Sequence, residues 1–580
     1  MSAGTGSEHV DGSAVSKGLK IGALGLGASI IVGVASTAPA YSLASALGTV
    51  AGTVGLQSPA VMVLAFVPML LIAIAYRELN KAEPDCGTTF TWATRAFGQR
   101  AGWMGGWGIL AADIIVMANL AAIAGSYTLN LFGLTSAANT TIWPLVVGVV
   151  WTILMTWVAW RGIEVSARLQ MALLGVEVIM LGLFSVVALY KVYANKAPAG
   201  SIHPSLSWFN PFHITSFQAL AAGLLLATFI YWGWDTAVSA NEETKDPAKT
   251  PGRAAVLSTL LLLVTYALVT VAAQAFAGVG TTGNGLANSA NSSDVLSVLG
   301  TNVFGSTGIG WFLAKMLVFM VLTSSAASAQ TTILPTARTV LSMATFKALP
   351  DKFARVNPKY LTPGYATVAM GLVSIVFYVL MTFISKNVLL DTIGALGLMI
   401  AFYYGLTGYA SVWYYRKVLT RSGRDFLYKG LLPLLGGLSL TAIFIYGLIY
   451  YSKPGNGGYT DSVTIFGHKF GLVAVIGIGA LVLGAILMVI YNIVRPDFFR
   501  GQTLTRATHL AIIGEPPVMH GLVTLPDSAN QDILVVSSDP EISGLSQEET
   551  DTLVQTVDPE EYATDSGDPE EELPEHHEHE

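Results

Sequence analysis

Two carboxyl groups stand inside apolar runs that are long enough to cross a membrane. Glu177 lies near the middle of the run over 168–192, and Asp113 lies in the run over 102–131. An ionisable group at membrane depth is costly, so it indicates a functional site unless a neighbouring polar group pairs with it structurally. Burial disfavours the charged form of a carboxyl group, which suits a residue that takes up and releases a proton near neutral pH.

Two other apolar runs are interrupted by residues that break helices. The first, over 21–47, contains Ala35-Ser36-Thr37-Ala38-Pro39, and the proline cannot continue an unbroken helix. The sixth, over 214–240, contains Gly233 followed by a carboxylate. Taken singly, Pro39 could merely kink a helix and Gly233 could merely let two helices pack closely.

The pairing of the two interruptions favours a functional interpretation. Unwound backbone at membrane depth is tolerated where it is buried in protein or lines a cavity. Paired breaks at corresponding positions of two halves are typical of a transporter's central site. Half-helix N-termini attract an anion such as a carboxylate, and freed carbonyl groups accept hydrogen bonds from an ammonium. The breaks therefore suit a zwitterionic amino acid.

The composition predicts an all-α integral membrane protein around these residues. Of the 580 residues, 53% are hydrophobic and 12% are charged, against roughly 25% charged residues in soluble domains. A bilayer core needs about twenty apolar residues per helix. Twelve runs qualify, near 21–47, 57–79, 102–131, 141–160, 168–192, 214–240, 254–278, 309–345, 364–385, 390–415, 430–452 and 468–494. A short interfacial segment is expected over 84–101.

The distribution of Lys and Arg predicts that both termini are cytoplasmic. With the N-terminus inside, 24 of the 30 basic residues fall in cytoplasmic segments, as the positive-inside rule requires. The loop over 279–308 has no Lys or Arg and is expected outside. The predicted location is the plasma membrane, with the lipid bilayer as solvent.

The two tails are polar and are expected to be cytoplasmic. Residues 1–20 form the N-terminal tail, and no cleavable signal peptide is apparent. Residues 495–580 form an acidic tail, with seventeen Asp and Glu from residue 531 onward, and this composition predicts disorder. A solubilising role is favoured over weak metal binding by His576, His577 and His579. The single cysteine, Cys86, excludes an internal disulfide and a cysteine-based metal cluster.

Four stretches match a known family in order along the chain. They are Pro84-Asp85-Cys86-Gly87-Thr88-Thr89-Phe90-Thr91-Trp92 with Arg95-Ala96-Phe97-Gly98 and Gly106-Trp107, then Arg161-Gly162-Ile163-Glu164-Val165-Ser166, then Gly233-Trp234-Asp235 with Glu242-Glu243-Thr244-Lys245-Asp246-Pro247, then Arg338, Leu349-Pro350 and Asn357-Pro358-Lys359-Tyr360-Leu361-Thr362-Pro363. Together they resemble the amino acid permeases of the amino acid–polyamine–organocation superfamily.

The resemblance implies the inverted-repeat fold of the bacterial leucine transporter. The first five-helix repeat would span 21–192 and the second 214–415, with two extra helices over 430–494 in the same transmembrane domain, 21–494. No cofactor or resident metal is implied, and no nucleic acid partner.

The resemblance also implies where the substrate binds. Its carboxylate would meet unwound backbone at the first break, and its amine would meet carbonyl groups at the second. The implied substrate-binding residues are Ala35, Ser36, Thr37, Ala38, Phe229, Ile230, Trp232 and Gly233. Many family members have Gly-[ST]-Gly at the first break, so the stiffer sequence here predicts a carboxylate pocket of a different shape.

A second departure from the family concerns Glu177. Counted from Ser166, it falls where proton-coupled members carry a lysine thought to replace a sodium ion, so the charge is reversed. A coupling role for Glu177, with a proton favoured over sodium, stands beside a purely structural one. Sodium binding would involve Ser324 or Ser325, which the implied fold brings nearby.

Three more residues are assigned to the substrate side chain or to a gate. The implied fold places Asp113 along the substrate cavity, where it could read a cationic side chain or be a buried structural residue. Asp235 aligns with a family acid and is expected to anchor the second break. Trp234, with Trp232, could form a gate or an aromatic wall.

These expectations lead to a secondary active transporter for an amino acid or related amine-bearing solute, working by alternating access with H⁺ coupling. A Na⁺-coupled symporter and an amino acid or polyamine exchanger are the alternatives, and a solute sensor or channel is the alternative of another class. The chain has no G-x-x-x-x-G-K-[ST] motif, which argues against an ATP-driven pump. Its histidines form no cluster at membrane depth, so no enzyme is expected. The sequence leaves the particular amine and the oligomeric state open.

Overall fold

The computed structural model describes residues 17–291, 294–385, 387–455 and 461–505. The chain divides into two units, Met1–Pro517 and Val518–Glu580, and every described residue belongs to the first. Most of the predicted acidic tail, with its three terminal histidines, lies outside the described residues, as do residues 1–16.

Helices account for nearly all of the regular structure in this part of the chain. The helices of the first half are α1 (Leu26–Thr37), α2 (Pro39–Val54), α3 (Ser58–Ala82), α4 (Thr89–Phe97), α5 (Gln99–Leu131), α6 (Thr135–Ala138), α7 (Ile142–Trp160) and α8 (Ile163–Tyr193). A short 3₁₀ turn at Gly55–Gln57 lies between α2 and α3, and two more, Leu206–Phe209 and Pro211–His213, come after α8.

The second half of the described chain is also mainly helical. Its helices are α9 (Phe217–Ile230), α10 (Thr236–Ser239), α11 (Thr250–Ala277), α12 (Val295–Phe304), α13 (Gly308–Thr345), α14 (Gly364–Ile384), α15 (Val388–Tyr414), α16 (Gly423–Asp425), α17 (Leu432–Ser452), α18 (Leu472–Val494) and α19 (Pro496–Phe499). Single 3₁₀ turns lie at Asn241–Glu243 and Asp351–Ala354, and a π-helical turn at Phe426–Leu431 leads into α17. An antiparallel hairpin of β1 (Ser462–Ile465) and β2 (His468–Gly471) precedes α18.

Ten helical stretches in the described residues are long and apolar enough to cross a membrane. The first, Leu26–Ala82, has 57 residues and would be about 85 Å long if straight, nearly three times the thickness of a bilayer core. It therefore holds more than one crossing, and the chain reverses near Gly55. The chain is therefore an all-α integral membrane protein. The number of twelve spans stays a prediction, because α9, in the predicted sixth span, has only 14 residues.

The centre of the bundle is formed by helices whose apolar residues face protein. In the most apolar part of α5 and of α15, 78% of the residues are buried. The corresponding share is 28% for the helical stretch Gly423–Ser452, which includes α17, and 22% for α18. The outer helices present apolar side chains outward, such as Val482, Ile486 and Ile493 on α18. This arrangement matches a protein whose surroundings are lipid.

The segment over 84–101, predicted to be interfacial, contains α4, whose residues are nearly all buried among other helices. Two further segments differ from the sequence-based expectation. The loop over 279–308 contains α12, because Leu296, Leu299 and Val303 recur at helical spacing and are buried. Residues 495–505, assigned to a disordered tail, pack beneath the bundle, since Phe498 is buried against Phe90 at 5.3 Å between ring centroids.

Contacts between loops gather many basic residues at one end of the bundle, called here the basic end. Arg161 packs over Tyr360, Arg77 over Tyr428, and Arg495 pairs with Asp351, so loops distant in sequence meet there. The segment that precedes α1 also reaches this end, because Leu24 exchanges backbone hydrogen bonds with Glu243 and Lys245. That this end faces the cytoplasm is the prediction of the positive-inside rule.

A buried ionic cluster ties the N-terminal segment to the basic end. The Nζ of Lys17 lies 2.6 Å from Asp85 Oδ2, 2.5 Å from Glu242 Oε1 and 3.6 Å from Cys86 Sγ. The three ligand atoms lie within 4.8 Å of one another, a spacing that a metal ion could use, but the Lys17 ammonium occupies the space between them. The cluster is therefore an ion pair with two carboxylates and not a metal centre in this conformation.

The charges in this cluster stabilise one another. Burial alone would lower the pKa of Lys17, but the negative charges of Asp85 and Glu242 hold that pKa well above its ordinary value. Burial alone would raise the pKa of Asp85, but the Lys17 ammonium and hydrogen bonds from Thr91 and Ser342 keep it below its ordinary value. Both shifts favour the charged pair at neutral pH.

We expect Lys17→Met to destabilise the folded protein by about 3–5 kcal/mol, because it leaves two buried carboxylates without a cation. The measurement is the thermal unfolding midpoint of the purified protein in detergent. Lys20→Met is the matched control, since the pair that Lys20 forms with Glu164 is 42% exposed on both sides and its loss should leave the midpoint unchanged. Equal midpoints for both variants would show that the buried cluster adds no stability.

The same cluster predicts how stability depends on pH. A lowered carboxyl pKa contributes stability above the unfolded value of about 4, and that contribution disappears as the pH falls through the folded pKa. A raised lysine pKa contributes stability below about 10, and that contribution disappears as the pH rises through the folded pKa. The midpoint difference between the wild type and Asp85→Asn should therefore stay constant near neutral pH and shrink below about pH 4. Asp246→Asn, at an exposed pair, should give little difference at any pH. A difference for Asp85→Asn that persists in acid would contradict this linkage.

Candidate functional site

The first interruption lies at Ala38, between α1 and α2. Ala38 is buried and adopts a left-handed conformation, with φ 46° and ψ 67°. Pro39 explains the break, since it lacks an N–H group and disfavours the α conformation of the residue before it. The left-handed conformation costs an alanine about 1–2 kcal/mol, so the surrounding packing must maintain it.

Side chains from three helices contact the backbone around this break. Ser328 on α13 donates to the carbonyl oxygen of Ser36 at 2.7 Å, and Ser42 on α2 donates to that of Thr37 at 2.7 Å. The N–H of Ala40, at the start of α2, donates to Glu177 Oε1 at 2.5 Å. The polar groups that the break exposes are thus held by hydroxyl groups on one side and by a carboxylate on the other.

The second interruption covers Tyr231–Asp235, between α9 and α10. Gly233 adopts φ +115°, and a Cβ atom there would lie 2.8 Å from the carbonyl oxygen of Ser36. The side chains of Ser36 and Thr236 are also hydrogen-bonded, at 2.8 Å. The two breaks therefore touch through their backbones, and only glycine allows so close an approach.

Asp235 fixes the second break to α15. Its carboxylate accepts hydrogen bonds from Tyr403 at 3.1 Å and from Tyr404 at 2.9 Å. The indole Nε1 of Trp232 donates to the Tyr403 hydroxyl at 2.5 Å. The ring of Trp234 packs against Tyr404 at 5.1 Å between centroids. The residues assigned to a gate or aromatic wall thus form one connected group.

Glu177 bridges three helices in the interior of the bundle. It projects from α8, is 2% exposed, and accepts both from Ala40 on α2 and from Ser324 on α13, the latter at 2.8 Å. No ion pair joins it to a cation in the part of the chain that is described. The neighbouring Ser325 donates its hydroxyl to the carbonyl oxygen of Leu322 in its own helix, at 2.9 Å.

Asp113 lies on α5, within electrostatic range of Asp235 at the second break. Its carboxylate is 1% exposed and accepts a hydrogen bond from Thr336 on α13. Like Glu177, it forms no ion pair within the described ranges. This contact is compatible with a structural role for Asp113 and with recognition of a cationic group on the substrate.

Comparison with known proteins decides the family. A family described as amino acid permease matches residues 22–467, more than three quarters of the 580 residues, and the matched range contains both breaks. The chain belongs to the amino acid permease family. The resemblance predicted from the four sequence stretches is therefore confirmed.

Several relatives of this permease have names that concern transport. A transporter of uncharacterised function from Mycobacterium tuberculosis is 28% identical over 356 residues, 60% of this chain and 70% of the relative. A branched-chain amino acid permease from Bacillus subtilis is 25% identical over 349 residues, covering 56% of this chain and 68% of the relative. A vacuolar cationic amino acid transporter from Arabidopsis thaliana is 25% identical over 329 residues, covering 54% and 50%.

Sequence reasoning missed several residues of the permease that hold the breaks in place. They are Ser328, Thr236, Tyr403, Tyr404 and Tyr266, and the last donates to the carbonyl oxygen of Ile230 at 2.5 Å. One signal was present in the sequence, because Thr323–Thr332 on α13 is rich in Ser, Thr and Gln although it lies in a spanning helix. The tyrosines gave no such signal, since a tyrosine in an apolar run is equally compatible with packing.

We expect Gly233→Ala to separate the two breaks, because the new Cβ would collide with the backbone of Ser36. The backbone conformation alone should cost about 1–2 kcal/mol, and amino acid uptake into proteoliposomes should fall by about tenfold or more. Gly182→Ala on α8 is the control, since a Cβ there meets no atom within 4 Å. Normal uptake by Gly233→Ala would mean that the close approach of the breaks is not required for transport.

Proposed function

We propose that the permease is a secondary active transporter that carries an amino acid or related amine-bearing solute across the plasma membrane by alternating access, coupled to H⁺. The contact of the two helix breaks at Gly233 and Ser36 is the observation that carries this proposal. Such a contact brings half-helix ends of both repeats to one point, where a zwitterion can meet N–H groups and carbonyl groups together.

The proposed substrate site lies where Ala35–Ala38 meets Phe229–Gly233. At the second break, the C-terminal end of α9 at Phe229 and Ile230 offers carbonyl oxygens, and the negative end of its helix dipole favours the substrate ammonium. The N–H groups that begin α2 favour a carboxylate, but Ala40 already contacts Glu177, and the Tyr41 N–H lies 3.4 Å from Ser324. The protein's own carboxylate thus occupies the position most favourable to an anion, which supports a carboxylate pocket shaped differently from that of glycine-rich relatives.

The proposed coupling residue is Glu177. When charged, its carboxylate attracts the N–H of Ala40 and the positive end of α2. When protonated, it loses that attraction, and α2 is held less firmly to α8. A proton taken up on one side and released on the other would in this way be linked to movement of α2, which borders the substrate site.

Sodium coupling is the second candidate, and one contact favours it. The Glu177 carboxylate and the Ser324 hydroxyl lie 2.8 Å apart and offer oxygen ligands of the kind that hard cations bind. Exchange of amino acids or polyamines would use the same site without a coupling ion. Asp113, Trp234 and Asp235 are proposed to act on the substrate side chain or in the gate.

We expect an inward proton gradient to drive accumulation of at least one labelled amino acid in proteoliposomes. Glu177→Gln should abolish this accumulation, because an amide keeps the hydrogen-bonding positions but cannot take up the proton. Exchange of internal for external substrate should persist, since it needs no net proton movement.

Glu164→Gln provides the control, because it makes the same change at an exposed position of the same helix. Proton-driven accumulation that survives Glu177→Gln would remove Glu177 from the coupling role. Accumulation driven by a sodium gradient alone would favour the symporter alternative. A complete lack of uptake for every amine-bearing solute would exclude the proposed substrate class.

A further inference from the structure

One face of α8 carries buried polar side chains between the basic end and Glu177. Ser166, Gln170 and Glu177 all lie on the buried face, and the amide of Gln170 is fully buried. The helix starts at Ile163, so Gln170 lies about 10 Å and Glu177 about 21 Å along its axis from that end. Gln170 is therefore halfway between the basic end and the proposed coupling residue.

The facing surface of α13 is also polar. Gln170 Nε2 donates to the carbonyl oxygen of Ala327 at 2.9 Å and to Gln330 Oε1 at 2.6 Å. About 9 Å farther along α13, Ser324 donates to Glu177. Between these levels, the hydroxyl of Ser328 donates to Ser36 on α1. The interface of α8 and α13 therefore has polar contacts at two levels, Gln170 with Gln330 and Glu177 with Ser324.

The amide pair leaves one acceptor and one donor without a partner. Among the described residues, no group forms a hydrogen bond with Gln170 Oε1 or with Gln330 Nε2, although both side chains are fully buried. The carbonyl of Ala327 determines the orientation of Gln170, because only the amide nitrogen can donate to it. Unpaired polar atoms in a protein interior are costly, and an adjacent donor and acceptor suit a water molecule that binds both.

We propose that Gln170 and Gln330 hold water between α8 and α13 and so form a proton route from Glu177 to the basic end of the bundle. This inference rests on the proposed proton coupling at Glu177. A protonated Glu177 would transfer its proton to the water chain, leaving the carboxylate, and the excess proton would pass to bulk water at the basic end. The amides are positioning residues, since they orient the water and do not themselves titrate.

The helices around Glu177 carry few charged groups that could take its proton. The helices α1 and α2 contain no Asp, Glu, Lys, Arg or His. From α11 the facing titratable group is Tyr266, whose hydroxyl donates to Ile230. The charged residues of α13 are Lys315 and Arg338, and both are engaged elsewhere, with Asn130 and Glu243 respectively. No charged side chain on these elements substitutes for the amide pair.

The test uses Gln170→Met and Gln330→Met, which keep the side-chain length and remove the hydrogen bonds. Full-length protein in liposomes with a trapped pH-sensitive dye is assayed for proton influx, gradient-driven uptake and substrate exchange. Both variants should slow proton influx and gradient-driven uptake by about tenfold, while exchange stays at the wild-type rate. Gln274→Met is the control, since this buried amide on α11 contacts Leu56 and lies away from Glu177.

Each outcome decides the proposal. Wild-type proton influx in both variants would overturn the route while leaving coupling at Glu177 intact. Equal slowing of exchange and of proton-driven uptake would overturn it in favour of a purely structural role. If one variant does not fold, the other tests the same water. A wild-type protein without proton-driven uptake would overturn the proposed coupling together with the route.

Discussion

The contact between Gly233 and Ser36 is the constraint on which the centre of this permease depends. Two interrupted helices can meet backbone to backbone only if one residue lacks a side chain and its chain turns through a positive φ. Once they meet, the polar groups that each break exposes must find partners in the same small volume. At the first break, the hydroxyls of Ser328 and Ser42 and the carboxylate of Glu177 are these partners, so α8 and α13 pack at the same point. At the second break, Tyr266 donates to the carbonyl oxygen of Ile230.

The interior carboxylates differ from those at the basic end in the partners they have. At the basic end, Arg338 forms a two-pronged ion pair with Glu243, and Lys17 bridges Asp85 and Glu242. Deeper in the bundle, Glu177, Asp235 and Asp113 accept hydrogen bonds from neutral donors. A buried pair of opposite charges is stable in one arrangement, whereas a carboxyl group with neutral partners can change its charge without leaving a cation unpaired.

Both ends of the described chain contact the basic end of the bundle. The N-terminal segment is held there by Lys17 and by the backbone bridge at Leu24, and residues 496–505 reach the same region through Phe498 and Thr503. Gln170 and Gln330 lie between this end and Glu177, so the proposed proton route begins at the part of the bundle where the chain's ends are held.

The sequence alone determined the class, the family and the positions of the breaks. Apolar runs of about twenty residues allow little besides membrane helices, and the paired positions of Pro39 and Gly233 in two such runs indicated the breaks. The sequence also singled out Glu177, because a charge in such a run is rare. It could not show that Glu177 would bind the start of α2, since Ala40 and Glu177 are 137 positions apart and meet only through helix packing.

The tertiary structure decided which polar residues became partners. In the sequence, nothing distinguishes Gln170 and Gln330 from other polar residues of two separate helices. In the folded protein, packing of these helices brings the two amides into contact. α12 and the packed segment at 495–505 were likewise missed, because short elements are stabilised mainly by the surfaces against which they pack. Local sequence sets where a helix must break, and only packing between distant helices sets what fills the break.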